Sequence, residues 1–345
     1  MKKLLVIVGP TGTGKTDLAL GIAKKFSGEL VSADSRQIYT GLDIGTGKLP
    51  VNSKLKIQSS KIARSYSMPS ALRAEAEYSA MLQPLRGLEK RKGKWIVDGV
   101  PIYLYDVITP DKTFSVAEFQ QRAYEAIVEI HERNKLPILV GGTGLYIRAV
   151  AEGLKIPKVP PDKKLRGRLE AKSLEALVSE LEKVDPEAAV GIDRKNPRRI
   201  IRALEVYYQT GKPLSKLKGQ FKVDFDCLKI GLRADKSYLY GRADNKVKEW
   251  FDQGFINEVK SLLAKGYDEY CPAMTSLGYR QVSMYLKKKL PLQVAKQKIK
   301  WEQHDYIRRQ LTWFKKEPDI NWFDISEPDY KIKVYKLVND WNKKF

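Results

Sequence analysis

Cysteine and histidine are scarce in this sequence, and their scarcity excludes several chemistries. The 345 residues include two cysteines, Cys227 and Cys271, and two histidines, His131 and His304. The cysteines are far apart and fit no zinc-binding spacing, so we expect neither a disulfide framework nor a zinc centre. We interpret both as reduced thiols of a cytoplasmic protein. The histidines are isolated, and we assign no function to either.

Long apolar runs are also missing. The opening run Leu4–Val8 is five residues long, which is too short for the apolar region of a signal peptide. No later stretch is long enough to cross a bilayer. We therefore expect a cytoplasmic protein with no membrane partner.

Acidic residues are outnumbered, with 41 Asp and Glu against 63 Lys and Arg, for a net charge of +22. This surplus makes nucleic acid the leading partner, and a merely solvated basic surface is the alternative. The charge is clustered. Residues 193–222 hold nine basic and two acidic residues, and residues 287–316 hold ten and two, interleaved with Tyr306, Trp313 and Phe314. Basic and aromatic side chains together bind phosphates and stack on unpaired bases, so the clustering favours nucleic acid.

A phosphate-binding pattern, G-x-x-x-x-G-K-[ST], occupies Gly9–Thr16. It follows the apolar run Leu4–Val8 and precedes the helix-compatible segment Asp17–Ala23, which is the strand–turn–helix context that the pattern requires. Backbone N–H groups, a helix N-terminus and the Lys15 ammonium converge on a diphosphate or triphosphate in such a loop. The Thr16 hydroxyl would reach the Mg²⁺ that the phosphates bring. A chance match is the alternative, and the pattern does not tell whether the phosphate belongs to a nucleotide.

Two further predicted strands end in segments that face the same crevice. Glu29–Ala33 leads into Asp34, and Leu136–Val140 leads into Gly141–Gly144. The carboxyl ends of neighbouring parallel strands share one crevice, so Asp34 is a candidate base beside the phosphates. A helix N-cap is the competing interpretation, because Asp before Ser-Arg-Gln suits that position.

Asp98 follows the apolar residues Trp95–Val97 and has two interpretations. One is a carboxylate that holds Mg²⁺, as in nucleotide-hydrolysing proteins with this loop. The other is a turn that ends a strand, because Asp-Gly is a common turn pair.

The order of strand and helix patterns predicts an α/β fold. We expect a P-loop NTPase-like core of parallel sheet with a helical insert subdomain and a helical, basic C-terminal region. We place the core at residues 1–154. It includes a basic elaboration at 51–93, with a predicted helix from Pro69 to about Lys92.

The rest of the chain divides into two predicted parts. The helical insert occupies 155–215 and carries most of the basic cluster 193–222, which makes it a candidate polyanion-binding part. One of its helices should follow the N-cap Asn196 and end at Gly211. Residues 216–345 return to the sheet through a strand at Leu228–Leu232 and then form the basic C-terminal helices.

Seven motifs stand in one order along residues 9–314. They are Gly9–Thr16, Asp34–Tyr39 with Gly45–Lys48, Phe114–Val116, Gly141–Tyr146, Asn196–Glu205, Gly278–Arg280 and Arg309–Phe314. Together they resemble the motifs of tRNA dimethylallyltransferases, also called tRNA isopentenyltransferases. The resemblance implies transfer of the dimethylallyl group from dimethylallyl diphosphate to N6 of adenine 37, next to the tRNA anticodon, with release of diphosphate. It also implies Mg²⁺ as the cofactor, no use of ATP, and the tRNA anticodon stem-loop as the partner.

The resemblance further implies roles for individual residues. The catalytic residues are Asp34, as the base, with Arg242 and Lys15. The donor diphosphate is bound by Gly9, Thr11, Gly12, Thr13, Gly14, Lys15 and Thr16, and Thr16 is the Mg²⁺ ligand. The tRNA-binding residues are Asp34, Ser35, Arg36, Gln37, Thr143, Arg166, Asn196, Arg198, Arg199, Thr275, Gly278, Tyr279, Arg280, Arg308, Arg309, Gln310, Thr312 and Trp313. Lys246 departs from the family pattern, which has a second arginine four residues after Arg242.

Three other classes compete with this interpretation. A P-loop small-molecule kinase uses the phosphate loop but not the basic, aromatic C-terminus. An adenylate isopentenyltransferase shares the donor site but needs neither the charge of +22 nor the long C-terminal region. A non-enzymatic RNA-binding protein explains the charge and leaves the phosphate loop and Asp34 unused. We expect a monomer.

Overall fold

The computed structural model describes residues 2–48 and 88–343. The chain divides into two compact units. The larger unit comprises Met1–Phe114, Gln121–Ile147 and Asp224–Phe345, and the smaller comprises Ser115–Gln120 and Arg148–Val223. The predicted insert, residues 155–215, falls within the smaller unit.

The strands, in chain order, are β1 (Lys2–Val8), β2 (Gly28–Ser32), β3 (Leu88–Arg91), β4 (Lys94–Val97), β5 (Val100–Tyr103), β6 (Leu136–Gly141), β7 (Leu154–Lys155), β8 (Gly219–Gln220), β9 (Phe225–Arg233) and β10 (Ile320–Asp324). The α-helices are α1 (Lys15–Lys25), α2 (Val116–Glu132), α3 (Gly144–Ala151), α4 (Lys163–Glu170), α5 (Leu174–Val184), α6 (Pro186–Gly191), α7 (Pro197–Thr210), α8 (Leu214–Leu217), α9 (Lys236–Asp252), α10 (Phe255–Ala264), α11 (Tyr279–Leu286), α12 (Leu292–Phe314) and α13 (Tyr330–Asn342). A short 3₁₀ helix spans Pro272–Thr275.

Within the described residues, the larger unit is built on one sheet with the strand order β10-β9-β1-β6-β2-β5-β4-β3. The strands from β10 to β5 run parallel, and β4 and β3 add an antiparallel edge. The central strands are apolar runs because both faces of a parallel sheet are covered. Leu4–Val8 and β6 are buried along their whole length. The predicted parallel α/β core and the predicted return strand at Leu228–Leu232 are confirmed.

The central order β1-β6-β2 decides where the site lies. Each of these strands is parallel to its neighbour, with Leu5 opposite Ile138 and Leu30 also opposite Ile138. Their carboxyl ends are therefore side by side, and the loops that follow them open on one edge of the sheet. The prediction that three strand ends share a crevice is confirmed.

The antiparallel edge corrects one expectation and decides between the two interpretations of Asp98. Residues 51–87 of the basic elaboration lie outside the described residues, but the helix predicted to reach Lys92 is wrong at its end. Leu88–Arg91 forms β3, because it pairs with β4 across a tight turn. Asp98 lies in the turn between β4 and β5 with a φ of 49° and forms an exposed ion pair with Lys24 at 3.1 Å. The turn interpretation of Asp98 is the one that the structure supports.

The smaller unit is helical, as the sequence predicts for this stretch. Its core joins α4, α5 and α7 through leucine and isoleucine side chains, among them Leu165, Leu177 and Ile200. The predicted ends of α7 are confirmed. Asn196 Oδ1 accepts a hydrogen bond from the backbone N–H of Arg199, and Gly211 follows the helix with a φ of 68°.

None of the described helices is both long enough and apolar enough to span a membrane.

Candidate active site

The phosphate loop connects β1 to α1 in the larger unit. Gly9 has a φ of 142°, and a Cβ there would lie 2.4 Å from the carbonyl oxygen of Leu232 on β9, so this position requires glycine. The Thr13 hydroxyl is buried and donates to the Pro10 carbonyl oxygen at 2.9 Å. Lys15 Nζ donates to the same oxygen at 2.7 Å. The Pro10 carbonyl oxygen therefore accepts two hydrogen bonds, which hold the loop in a compact turn directly before α1.

A cavity of about 890 Å³ opens beside this loop, within the larger unit. Its wall is formed by the phosphate loop, the turn after β2, the Gly45–Lys48 loop, the end of β6, and helices α9 and α12. The predicted donor and catalytic residues that line it are Thr11, Gly12, Gly14, Lys15, Thr16, Asp34 and Arg242. Gly9 and Thr13 shape the loop and are not among the lining residues.

Asp34 lies on the cavity wall at the end of β2. Its Oδ1 accepts a hydrogen bond from the backbone N–H of Arg36 at 2.8 Å, which orients the carboxylate. The residues that follow form turns rather than a helix, so the N-cap interpretation is wrong. The charge of Asp34 acts on the pKa values of Lys15 and Lys246, which places the carboxylate among the cations of the cavity.

Two lysines of the cavity, Lys15 and Lys246, have lowered pKa values. Burial, which is the largest cause, and the nearby Lys246 ammonium together lower the pKa of Lys15 to about 7, against the opposing effect of Asp34. Burial also lowers the pKa of Lys246, against the carboxylates of Asp34, Asp17 and Glu249. Two ammonium groups close together repel each other, which disfavours protonation of both amines. A bound anion removes this penalty because it attracts both charges. A diphosphate supplies such an anion.

Lys246 was not among the predicted site residues. It lines the cavity one helical turn after Arg242 on α9, which places both cations on one face of the helix. The spacing of four residues between Arg242 and Lys246, which puts them on one helix face, could have identified it from the sequence. Gly47 makes room for the ammonium, because a Cβ at that position would lie 2.6 Å from Lys246 Nζ.

Glu258 on α10 holds the backbone just before Gly47 in place. The Glu258 carboxylate accepts hydrogen bonds from the backbone N–H groups of Asp43 at 3.0 Å and Ile44 at 2.8 Å. The Tyr279 hydroxyl donates to the same carboxylate at 2.6 Å. Tyr279 is fully buried, so its side chain supports this loop instead of presenting the tRNA contact that the sequence predicts.

Many predicted tRNA-binding residues lie around the same cavity. Those that line it are Asp34, Ser35, Arg36, Gln37, Thr275, Arg280, Arg309 and Gln310. Thr275, Arg280 and Arg309 are exposed, as are Arg308 and Thr312 on α12. Thr143 Oγ1 accepts a hydrogen bond from the Ser35 N–H at 3.1 Å. Gly278 is the N-cap of α11, and Trp313 packs against Gly144.

Two glutamines of this set are turned inward. Gln37 accepts from the Ser32 hydroxyl at 2.7 Å and donates to the Thr46 carbonyl oxygen at 3.1 Å. Gln310 accepts from the Thr11 N–H and donates to the Gly142 carbonyl oxygen. Their side-chain amides are thus engaged within the protein.

The other four predicted tRNA-binding residues belong to the smaller unit. Arg166 forms two hydrogen bonds of 2.7 Å to Glu205, whose side chain is fully buried. Asn196 caps α7, and Arg198 and Arg199 are exposed on its first turn. Arg166 is therefore engaged in an internal ion pair, whereas the two exposed arginines are available to a polyanion.

The residues present fit a Mg²⁺ ion that arrives with its ligand. Within residues 2–48 and 88–343, no group of three or more His, Cys, Asp and Glu residues could hold a metal by itself. Mg²⁺ is usually held by few protein oxygens, with phosphate and water completing its shell. The Thr16 hydroxyl at the start of α1 lines the cavity and suits that arrangement.

Two family models match the chain. The model described as IPP transferase matches residues 92–317, and the model described as Isopentenyl transferase matches residues 2–134. Similar curated proteins include the tRNA dimethylallyltransferases of Thermomicrobium roseum and Dictyoglomus turgidum. Each is 39% identical to this chain, and the matches cover 98% of this chain and 91% and 93% of those proteins.

Solved structures agree with these matches. The tRNA isopentenylpyrophosphate transferase of Bacillus halodurans is 33% identical with a TM-score of 0.65, covering 99% of this chain and 96% of that one. The tRNA delta(2)-isopentenylpyrophosphate transferase of Staphylococcus epidermidis is 30% identical with a TM-score of 0.64, and the match covers both chains completely. A eukaryotic dimethylallyltransferase described as acting on tRNA has a TM-score of 0.70 at 24% identity, covers 99% of this chain and 79% of that one, and shows likeness of fold. The predicted P-loop NTPase-like fold class is confirmed.

Proposed function

Because this chain belongs to the IPP transferase family, whose curated members include tRNA dimethylallyltransferases, we propose that it transfers the dimethylallyl group of dimethylallyl diphosphate to N6 of adenine 37 in tRNA. It is an enzyme of the prenyltransferase class. The observation that carries the residue assignments is the single cavity in which the phosphate loop, Asp34 and Arg242 meet.

Asp34 supplies the base. The N6 amine of adenine is a weak nucleophile because its lone pair is delocalised into the ring. As N6 attacks C1 of the dimethylallyl group, the N–C bond forms, the C1–O bond to the diphosphate breaks, and one N6 proton passes to the Asp34 carboxylate. A well-placed base contributes about 10²- to 10⁴-fold to the rate. The hydrogen bond from Arg36 N–H holds the carboxylate in place for this transfer.

Cations of the cavity receive the leaving diphosphate. Lys15, Arg242 and the N–H groups of the phosphate loop stabilise the charge that develops on the departing oxygen, which is usually the larger contribution to catalysis. Lys246 joins them from the face of α9 that carries Arg242. The Thr16 hydroxyl would hold a Mg²⁺ ion together with the phosphates, and the ion would supply further neutralisation of the diphosphate charge.

The acceptor base must leave its stack to reach this cavity. We infer that the adenine is turned outward, as in other enzymes that act on a base. The exposed side chains Arg280, Arg308, Arg309 and Thr312 lie on the larger unit and would contact the anticodon stem-loop, mostly through phosphates. The insert 155–215 adds Arg198 and Arg199 from the smaller unit. We propose that the enzyme acts as a monomer in the cytoplasm, where Cys227 and Cys271 stay reduced.

The test is prenyl transfer from labelled dimethylallyl diphosphate with Mg²⁺, without ATP, to tRNA that lacks the modification. Free AMP is the parallel acceptor. Label in tRNA alone is the expected result. Label in AMP would indicate an adenylate isopentenyltransferase, and consumption of added ATP with no label in either acceptor would indicate a kinase.

Asp34→Asn tests the base. The amide keeps the shape and the hydrogen bond from Arg36, but it cannot take a proton, so turnover should fall about 10²- to 10⁴-fold. Binding of tRNA, measured by filter retention, should stay within about two-fold because the phosphate contacts are intact. Glu249→Gln, a second carboxylate of the same cavity, is the matched control and should lose far less turnover. Unchanged turnover in Asp34→Asn would remove Asp34 as the base.

A further inference from the structure

Helix α12 reaches the phosphate loop through one buried side chain. Gln310 is 5% exposed. Its Oε1 accepts a hydrogen bond from the backbone N–H of Thr11 at 2.8 Å, and its Nε2 donates to the carbonyl oxygen of Gly142 at 3.0 Å. The side chain thus connects the loop after β1 to the loop after β6. Both the oxygen and the nitrogen of its side-chain amide form hydrogen bonds to backbone atoms.

The close approach of α12 depends on two glycines of the β6 loop. A Cβ at Gly142 would lie 2.1 Å from Gln310 Nε2, and a Cβ at Gly144 would lie 2.0 Å from Trp313 Nε1. Gln310 and Trp313 are three residues apart, so both lie on the face of α12 that meets this loop. The contact between α12 and the β6 loop therefore requires glycines in the loop and long side chains on the helix.

Thr11 is the first residue of the phosphate loop that lines the cavity. An amide in such a loop has water or a ligand phosphate as its usual partner. Here a residue 299 positions away occupies the Thr11 N–H. The start of the loop is consequently fixed in the donor-free protein. The orientation of the remaining N–H groups is therefore set by the protein and not by the bound ligand.

We propose that Gln310 is a positioning residue for the donor diphosphate. It holds the phosphate loop in its binding conformation from α12, and it acts through the loop backbone without touching the donor or the tRNA. This role differs from the tRNA contact that the sequence resemblance implies for Gln310. The identity of the donor rests on the proposed function, whereas the positioning role of Gln310 rests on its two hydrogen bonds.

Gln310→Met is the test, because methionine has a similar length and makes neither hydrogen bond. We expect the Kd for dimethylallyl diphosphate, measured by titration calorimetry with Mg²⁺ and without tRNA, to rise about 10-fold, since two hydrogen bonds to backbone groups are lost. The Kd for the anticodon stem-loop should stay within about two-fold. At saturating donor, kcat should also stay within about three-fold.

Gly142→Ala perturbs the same contact from the other side. The added methyl group displaces the Gln310 amide, so the donor Kd should rise while stem-loop binding is unchanged. Ile307→Val is the matched control, because Ile307 is a fully buried residue on the same helix. It should lower the stability of the protein by a modest amount and leave both Kd values unchanged.

Two results would overturn the inference. Weaker stem-loop binding with an unchanged donor Kd in Gln310→Met would make Gln310 a direct tRNA contact. An Ile307→Val variant that weakens donor binding as much as Gln310→Met would make the effect a general consequence of helix destabilisation. Failure of the proposed function is a separate outcome: the wild-type protein would then bind ATP in place of dimethylallyl diphosphate, and the same variants would be measured with ATP at the same loop.

Discussion

Donor binding should depend on pH through Lys15. Burial and the neighbouring Lys246 ammonium lower the pKa of Lys15 to about 7 in the free protein. Only the ammonium form attracts a diphosphate, so the bound state favours protonation. Donor affinity is therefore fully present below the pKa of the free protein and falls as the pH rises through it.

The size of the effect follows from the protonated fraction. With a pKa of about 7, Lys15 is about nine-tenths protonated near pH 6 and only a few hundredths protonated near pH 8.5. If the ammonium form alone binds the donor, the donor Kd should rise about 30-fold between these two conditions. An ordinary lysine with a pKa near 10.4 would give almost no change in this range.

Two variants shift the midpoint in opposite directions. Lys246→Met removes the like charge that lowers the pKa of Lys15, so the midpoint of the pH profile should move up. Asp34→Asn removes the carboxylate that raises this pKa, so the midpoint should move down. Burial is the largest cause of the shift, so neither variant should restore an ordinary lysine pKa.

The assay is calorimetric titration of dimethylallyl diphosphate at fixed Mg²⁺ across about pH 6 to pH 9. The donor's own ionisation is common to every variant, so differences between the midpoints report on the protein. A pH profile that is identical in wild type, Lys246→Met and Asp34→Asn would refute the assignment of the titrating group. Midpoints that move in the same direction in both variants would refute the electrostatic reasoning.

Two further predictions concern stability and tRNA binding. Glu205→Gln should lower the free energy of unfolding of the smaller unit by about 2 to 3 kcal/mol in urea titrations, because a fully buried carboxylate loses its charge between two arginines that are only partly exposed. Its control, Glu187→Gln, breaks an exposed ion pair with Lys216 and should change stability by less than about 0.5 kcal/mol; equal losses would contradict the argument. Arg309→Ala should reduce the slope of log Kd against log salt for tRNA by about one, since one phosphate contact is lost, and an unchanged slope would place Arg309 away from the phosphates.

The phosphate site was predictable because its determinants are local. The loop pattern, the apolar strand before it and the helix after it occupy one continuous stretch, residues 4 to 23. The same holds for α7, whose N-cap Asn196 and terminal Gly211 act within a few residues of the helix ends. Where residues adjacent in sequence decide the backbone, the sequence pattern is sufficient.

Predictions failed where contacts with a neighbouring segment, and not the residue pattern within the segment itself, decided the backbone. The helix expected to reach Lys92 gave way to β3, because Leu88–Arg91 pairs with β4. The segment after Asp34, for which a helix N-cap was the competing interpretation, is a turn whose Gln37 is held by Ser32 and Thr46.

By itself, the sequence determined that this protein has a phosphate loop on a parallel α/β core, a helical insert and a basic surplus suited to a polyanion. The tertiary structure decided which face each residue of the shared motifs presents. Arg309 is exposed and Gln310 is buried, although they are neighbours in one motif. Lys246, which stands where the family pattern has an arginine, lies in the donor cavity. The physical reason is that these assignments depend on how α9 and α12 pack against loops far earlier in the chain, with contacts of α12 that span 168 and 299 residues. No local pattern encodes that packing.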